Sequence, residues 1–329
     1  MGWQGQVVWK PHLQLGILYN KRMNSPSYAI QTNHLQKIFG EKVAVQDLSL
    51  DVVRGEVFGF LGPNGAGKTT SVKMLLSLVR PTSGDGFLLG EPLGRPETRR
   101  KIGFLPEHFR FHDWLNADEF LTLHADLYHM PRERSQTTIN ELLDLVGLAP
   151  HRTKKLREFS KGMLQRIGLA QAMLNNPELI ILDEPTSGLD PVGRRLVRDI
   201  IRNLKEQGKT VFLNSHLLSE VEITCDRVAF IKHGVVIRTS HLKDLVEGEL
   251  TVTIRGRNIS PEAVNGLSRW SSNVRCDDEV ITLTVMGESD LPEINRYLVN
   301  QRVDVYALQP QRVSLEDLFI EIVGVDGGL

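Results

Sequence analysis

Val57-Phe58-Gly59-Phe60-Leu61-Gly62-Pro63-Asn64-Gly65-Ala66-Gly67-Lys68-Thr69-Thr70 is the stretch that decides how this chain folds. Val57 to Leu61 is a continuous apolar run, the pattern of a strand covered on both faces. It passes directly into Gly62-x4-Gly67-Lys68-Thr69, the spacing of a phosphate loop. Gly65 and Gly67 permit positive φ, so the backbone can turn its N–H groups toward phosphate oxygens. Beyond the loop, Val72, Leu75, Leu76 and Val79 recur at helical spacing. The positive end of that helix points at the same place. In this setting Lys68 neutralises β- and γ-phosphates, and Thr69 offers a hydroxyl to Mg²⁺. The strand before and the helix after lift the motif well above chance.

A second acidic stretch lies downstream. Leu179-Ile180-Ile181-Leu182-Asp183-Glu184 is a short apolar strand ending in two carboxylates. Asp183 at the strand's C-terminal end suits a Mg²⁺ ligand opposite the phosphate loop. Glu184 suits a general base that polarises the attacking water. An acidic N-cap would explain either acid alone; beside a phosphate loop the chemical reading wins. Upstream, Glu158-Phe159-Ser160-Lys161-Gly162-Met163-Leu164-Gln165-Arg166 opens another helix, with Ile167, Leu169 and Ala170 behind it. Two readings stay open there: a simple N-cap at Ser160, or a helix terminus serving a nucleotide held by another copy.

The rest of the chain is organised around these sites. Its 329 residues allow one large core plus an accessory unit. With 39 basic and 40 acidic residues, bulk charge does not favour nucleic acid. Two cysteines, Cys225 and Cys276, are too few for a disulfide scaffold or a four-cysteine zinc site. No stretch approaches the roughly 20 apolar residues of a membrane span. Residues 1–27 read as a loosely ordered extension without a signal-peptide core, with Met23 as a possible start. Tyr28 to Leu35 and Val43 to Val52 read as strands, the second with a polar break at Gln46 and Asp47. Arg80 to Gly86 reads as a turn and Ile102 to Leu105 as a strand. From Glu107 to Lys155 the strand signal vanishes. Asn116 with Glu119 forms a capping box before Phe120, Leu123 and Leu127, and a second helix carries Ile139, Leu142, Leu143 and Val146 up to Gly147. Strands at 179–182, 210–214 and 227–231 then alternate with helices at 192–207 and 217–225, which implies a mostly parallel sheet. Residues 28–245 therefore form one α/β domain with a helical insert. Residues 246–329 form a small α+β domain, with alternating strands near Val252 and Val280 to Val285 and a last helix opened by Ser314 and Asp317.

Taken in order, these residues resemble the nucleotide-binding subunit of an ABC transporter, over roughly Tyr28 to Asp244. The Walker A motif is Gly62, Pro63, Asn64, Gly65, Ala66, Gly67, Lys68, Thr69 and Thr70. Walker B is Leu179 to Asp183, followed by Glu184, and the signature is Phe159 to Met163. Ser187-Gly188-Leu189-Asp190 matches the D-loop, His216 the switch histidine, and Phe39 the aromatic residue that stacks on adenine. The resemblance implies an α/β P-loop NTPase fold of the ABC-cassette type with a helical subdomain. It also implies ATP and Mg²⁺ as ligands, and two copies joined head-to-tail around two ATPs. Ser160 and Gly162 would then face the partner's γ-phosphate, while Glu184 and His216 would act in hydrolysis. Such subunits sit on the inner face of the cell membrane and drive a separate permease, with no nucleic acid involved.

Two departures from the family pattern stand out. The signature begins Leu-Ser-Gly-Gly-Gln in the family, and here Phe159, Lys161 and Met163 replace three of those residues. The Q-loop glutamine is Glu107, after Ile102-Gly103-Phe104-Leu105-Pro106; a carboxylate can still meet Mg²⁺ or orient water, but adds negative charge near the triphosphate. With Ser314-Leu315-Glu316-Asp317-Leu318-Phe319, both departures resemble the bacterial branch that exports drugs, antibiotics or polysaccharides. The competing expectation is a soluble ATPase of the same superfamily acting on ribosomes or nucleic acid. It is disfavoured by a single cassette and by the short segment between Walker A and the signature.

Overall fold

The computed structural model describes residues 27–109, 112–246, 250–312 and 314–324. The sequence-based extension at 1–27 falls, apart from its last residue, outside the described residues. The first part of the chain runs β1 (Tyr28–Phe39), β2 (Lys42–Val53), β3 (Val57–Leu61), α1 (Lys68–Leu75), β4 (Ser83–Leu88), β5 (Glu91–Pro92), α2 (Pro96–Arg99) and β6 (Ile102–Leu105). Two helices, α3 (Ala117–Leu127) and α4 (Arg132–Leu145), form the insert. Then follow α5 (Lys161–Met173), β7 (Leu179–Asp183), α6 (Pro191–Glu206), β8 (Thr210–Asn214), α7 (Leu218–Thr224), β9 (Arg227–Lys232), β10 (Val235–His241) and α8 (Leu242–Val246). The remainder is β11 (Leu250–Arg257), α9 (Pro261–Gly266), β12 (Val274–Asp277), β13 (Val280–Val285), α10 (Leu291–Asn300), β14 (Asp304–Arg312) and α11 (Leu315–Val323).

Ten strands form one sheet in the order β5-β4-β1-β2-β10-β9-β3-β8-β7-β6. Strands β9, β3, β8, β7 and β6 are mutually parallel, while β1, β2, β4 and β5 pair antiparallel. The continuous apolar runs explain the parallel half, because successive residues enter two separate cores. Val57, Leu61, Ile180, Leu182, Val211, Leu213, Val228 and Phe230 point into one core, covered by α3 to α7. Phe58, Phe60, Leu179, Ile181, Phe212, Ala229 and Ile231 point into the other, covered by α1 and the antiparallel strands. There Phe212 stacks on Phe58 with ring centroids 5.9 Å apart and leans on Phe60 at 5.4 Å.

The helical insert is set by its ends. Asn116 Oδ1 accepts from the Glu119 N–H at 2.8 Å, and Glu119 Oε2 accepts from the Asn116 N–H at 2.8 Å, completing the capping box. Gly147, with φ of 65°, turns the chain out of the segment that follows α4. Phe120, Leu121, Ile139, Leu142 and Leu143 from these helices join the core that covers β7 and β8.

The structure adds to the sequence reading in three places. Arg80 to Gly86 is not all turn, since β4 begins at Ser83 and pairs with β1. Gly84 carries φ of 81°, and a Cβ there would lie 2.2 Å from the His34 carbonyl oxygen, so its glycine marks close strand contact. β2 continues past Gln46 and Asp47, but its register against β1 shifts there, between Leu35↔Leu48 and Lys37↔Val45, and both N–H groups donate instead to the Gly234 carbonyl at 2.9 Å. The third concerns the accessory unit. Leu250, Val252, Ile254, Ile281, Leu283, Ile294 and Leu298 build a core of their own under a four-stranded sheet ordered β12-β13-β11-β14. The last helix does not join it: Leu315, Leu318, Phe319 and Ile322 pack into the core beneath β9 and α7. The apolar face of α11 therefore packs on the larger body.

Gly59 in the centre of β3 tests the packing of this body. A Cβ there would lie 2.9 Å from both Val221 Cγ1 and Val228 Cγ1. Gly59→Ala is expected to destabilise the protein by about 1–3 kcal/mol through overpacking. Thermal and urea unfolding measure it; an unchanged midpoint would show that α7 yields without cost.

Candidate functional site

Strand register brings the site together. On β8, Asn214 lies beside Phe60 of β3 on one side and Asp183 of β7 on the other, and Leu105 of β6 lies beside Leu182. The segments that follow therefore leave one edge of the sheet side by side: the phosphate loop, Asp183-Glu184, Ser215-His216 and Pro106-Glu107. Ligands of open parallel sheets bind along this carboxyl edge.

The phosphate loop is held by its glycines. A Cβ on Gly62 would lie 2.3 Å from the Ile231 carbonyl oxygen, and one on Gly67, at φ of 102°, would lie 2.6 Å from that of Ala44. The Gly234 N–H donates to the Ala66 carbonyl at 2.9 Å, fixing the loop to the start of β10. Lys68 begins α1 and is buried, its Nζ donating to the carbonyls of Gly62 at 2.6 Å and Pro63 at 3.1 Å. Asn64, Gly65 and Thr69 are exposed, while Pro63 and Thr70 are half-buried. The loop and the first turn of α1 thus present Asn64, Gly65 and Thr69 to a ligand.

Opposite it, Asp183 and Glu184 are 2% and 6% exposed. Asp183 accepts from the Asn214 side-chain amide. Glu184 turns the chain with φ of 54°, its N–H donating to the Asn214 carbonyl at 2.8 Å and its carbonyl accepting from Gln165 Nε2 at 3.1 Å. A left-handed glutamate costs energy and persists because these partners fix it. Glu184 Oε2 sits 2.7 Å from His216 Nδ1.

Burial pushes both carboxyls above their ordinary range. The Asn214 hydrogen bond opposes the shift at Asp183, and Glu107 adds to it. The contact with His216 opposes the shift at Glu184. Burial likewise holds the Lys68 ammonium below the ordinary lysine value, against the attraction of Glu184, Asp183 and Glu107. Three carboxylates face one ammonium here, so this edge favours a bound cation beside the acids. Asp183 and Thr69 offer hard oxygen donors but too few to enclose an ion. Among the described residues no three His, Cys, Asp or Glu side chains form a self-sufficient metal cage. That donor set fits Mg²⁺, which takes one or two protein oxygens together with substrate phosphates.

The other sequence-predicted residues take different places. Glu107 follows β6, with a half-exposed carboxylate 3.9 Å from His108 Nε2. Phe39 ends β1, half exposed, with the Lys37 ammonium 4.8 Å from its ring centroid. Ser160 caps α5, its Oγ accepting from the Met163 N–H at 3.2 Å, and Asp190 caps α6, accepting from the Gly193 N–H at 2.7 Å. These two helix starts abut. A Cβ on Gly162 would lie 3.2 Å from Leu189 Cδ2, and Lys161 lies across Gly188. Asn214 and Gln165 were not picked out from sequence. Gln165 carried a signal, as a polar residue on an otherwise apolar helix face; the role of Asn214 depends on strand register.

A family profile described as "ABC transporter" matches residues 45–187. One described as "ATP-binding protein DrrA1-3-like, C-terminal domain" matches residues 238–323, so it includes α11. An ABC transporter ATP-binding protein of Nostoc sp. is 41% identical over 309 residues, covering 90% of both chains. This chain belongs to the ABC transporter ATP-binding proteins. The bacitracin transport ATP-binding protein of Bacillus licheniformis is 37% identical, over 91% of this chain and 98% of that protein. A solved dimeric ATP-binding cassette in a post-hydrolysis state, bound to ADP and Pi, aligns with a TM-score of 0.60 and 27% identity, over 65% of this chain and 98% of the other. The protein is thus an ABC-type ATPase subunit, with the cassette fold expected from the sequence. The transporter subunits named among its relatives decide against the soluble ribosomal or nucleic-acid alternative. Among the described residues no helix is long and apolar enough to cross a membrane.

Asn214→Ala removes the amide donor that Asp183 accepts and leaves a buried carboxylate short of a partner. A loss of about 1–3 kcal/mol in unfolding free energy is expected, read by chemical denaturation of the nucleotide-free protein. A variant as stable as the parent would show that Asp183 does not depend on this bond.

Proposed function

We propose that this subunit binds MgATP along the carboxyl edge of the sheet and hydrolyses it between two copies of the chain. The observation that carries the proposal is the Glu184–His216 contact, fixed on the same edge as Lys68 and Asp183. Gly62 to Thr70 cradle the phosphates through backbone N–H groups and the Lys68 ammonium. Thr69 and Asp183 would hold Mg²⁺, with Glu107 beside them. The ion supplies charge neutralisation on the phosphate oxygens. Glu184, with its carboxyl raised by burial, takes the proton of the attacking water, and His216 holds its carboxylate in position. Phe39 offers an exposed ring for adenine to stack on.

Ser160, Gly162 and Asp190 belong to the abutting starts of α5 and α6, not to the Lys68 edge. That separation supports a composite site, in which the signature of one copy meets the γ-phosphate held by the other, so we assign a homodimer. The helical insert supplies a surface for a separate membrane permease: Trp114 is 63% exposed and Leu127 67%. Export is the favoured direction, through the resemblance of the signature, the Q-loop and Ser314 to Phe319 to the exporting branch. The subunit would then work at the inner face of the cell membrane.

Glu184→Gln is expected to keep ATP affinity while lowering kcat by about 10²–10⁴-fold. Phosphate release and equilibrium dialysis with labelled ATP separate the two quantities. Turnover at the parent rate would remove Glu184 from the role of base. Lys68→Ala is expected to abolish measurable ATP binding in the same dialysis, and unchanged affinity would dismiss the phosphate-loop assignment.

A further inference from the structure

The motif Ser314-Leu315-Glu316-Asp317-Leu318-Phe319 has no part in the site described above, yet it builds a sharply defined helix. Ser314 Oγ accepts from the Asp317 N–H at 3.1 Å, and Asp317 Oδ2 accepts from the Ser314 N–H at 3.1 Å. This capping box fixes where α11 begins, directly after the last strand of the accessory sheet. Leu315, Leu318, Phe319 and Ile322 fall at helical spacing on one face, while Glu316, Asp317, Ile320 and Glu321 are exposed. The apolar face is placed against α7 and β9 of the ATPase body. Leu315 is buried, and the Phe319 ring lies 6.4 Å from that of the buried Phe230.

What α11 touches, besides β9, is the helix that follows His216. Only Leu217 separates His216 from α7, and its N–H donates to Ser215 Oγ at 3.1 Å, so the connection has little slack. On its other side α7 is tied to α6: Arg198 Nη1 donates to both carboxylate oxygens of Glu220 at 3.0 Å. Beneath it, Val221 packs against Gly59 so closely that a Cβ there would lie 2.9 Å from its Cγ1. Thus α7 is held on three sides, by α6, by β3 and by α11. Two of these supports lie within the cassette, and the third belongs to the chain's C-terminal segment.

We infer that α11 is a brace for the switch loop: packed on α7 and β9, it holds α7, and through it His216, against Glu184, with Phe319 and Ile322 on its apolar face acting as positioning residues. The inference rests on the proposed role of His216. It assigns to the SLEDLF motif a function within the subunit, beyond filling the core.

Steady-state hydrolysis by the full chain tests this in parental and His216→Ala backgrounds, with labelled ATP to follow the slow variants. Phe319→Ala is expected to lower kcat roughly tenfold while KM for ATP stays within about twofold, the pattern of a lost transition-state interaction. Phe319→Leu, which keeps an apolar contact, is expected to recover most of the turnover. In the His216→Ala background Phe319→Ala is expected to cause no further loss, since the two changes break one connection. Ile322→Ala, at the less buried end of the helix, provides the same reading if Phe319→Ala does not fold. Equal losses with and without His216, or unchanged kcat in a folded Phe319→Ala protein, would overturn the brace. Full activity in His216→Ala alone would instead overturn the role of His216, so the two failures are distinguishable.

Discussion

Asn214 is the point on which the site depends. Register places it between β3 and β7, and it then bonds both acids: its side chain serves Asp183 and its carbonyl holds the Glu184 N–H. Two residues further on, the same chain segment supplies His216 to the Glu184 carboxylate. One strand end therefore fixes a buried carboxylate, a left-handed glutamate and the histidine that meets it. This arrangement requires close packing on both faces of the parallel strands, because a shift of one register position would reverse every inward side chain. The two apolar cores keep the acids where water alone would not hold them.

The same constraint explains which parts of the protein were legible in the sequence. The phosphate loop and the Asp183-Glu184 pair are local signals, written within a few residues of an apolar strand, and the family profile covers both. The capping box at Asn116 is equally local. The remaining features are non-local. Gly84 looked like turn punctuation, yet its lack of a side chain matters because β1 passes beside it. The helical spacing of Leu315 to Ile322 announced an apolar face without saying which core would receive it. Asn214 looked like the end of a strand, and only register shows that it serves Asp183.

The geometry also sets what one copy does alone. Its edge gathers Lys68, Asp183, Glu184 and His216, while Ser160, Gly162 and Asp190 sit at the joined starts of α5 and α6, where Leu189 packs beneath Gly162. On the proposed reading the two groups are complementary in chemistry: one would supply the base and the cation ligands, the other the capped start of a helix that would face an anion. On this account α6 links the groups within a copy, since Asp190 begins it and Arg198 ties it to α7 behind His216. A nucleotide between two copies would therefore report to the switch loop of each.

The central claim is that ATP joins two copies before it is hydrolysed. Light scattering on the Glu184→Gln chain, with and without MgATP, measures this directly. The account predicts a mass that doubles when ATP is added and returns to one chain when it is removed. A mass of one chain at saturating ATP, with binding confirmed in the same sample, would contradict it.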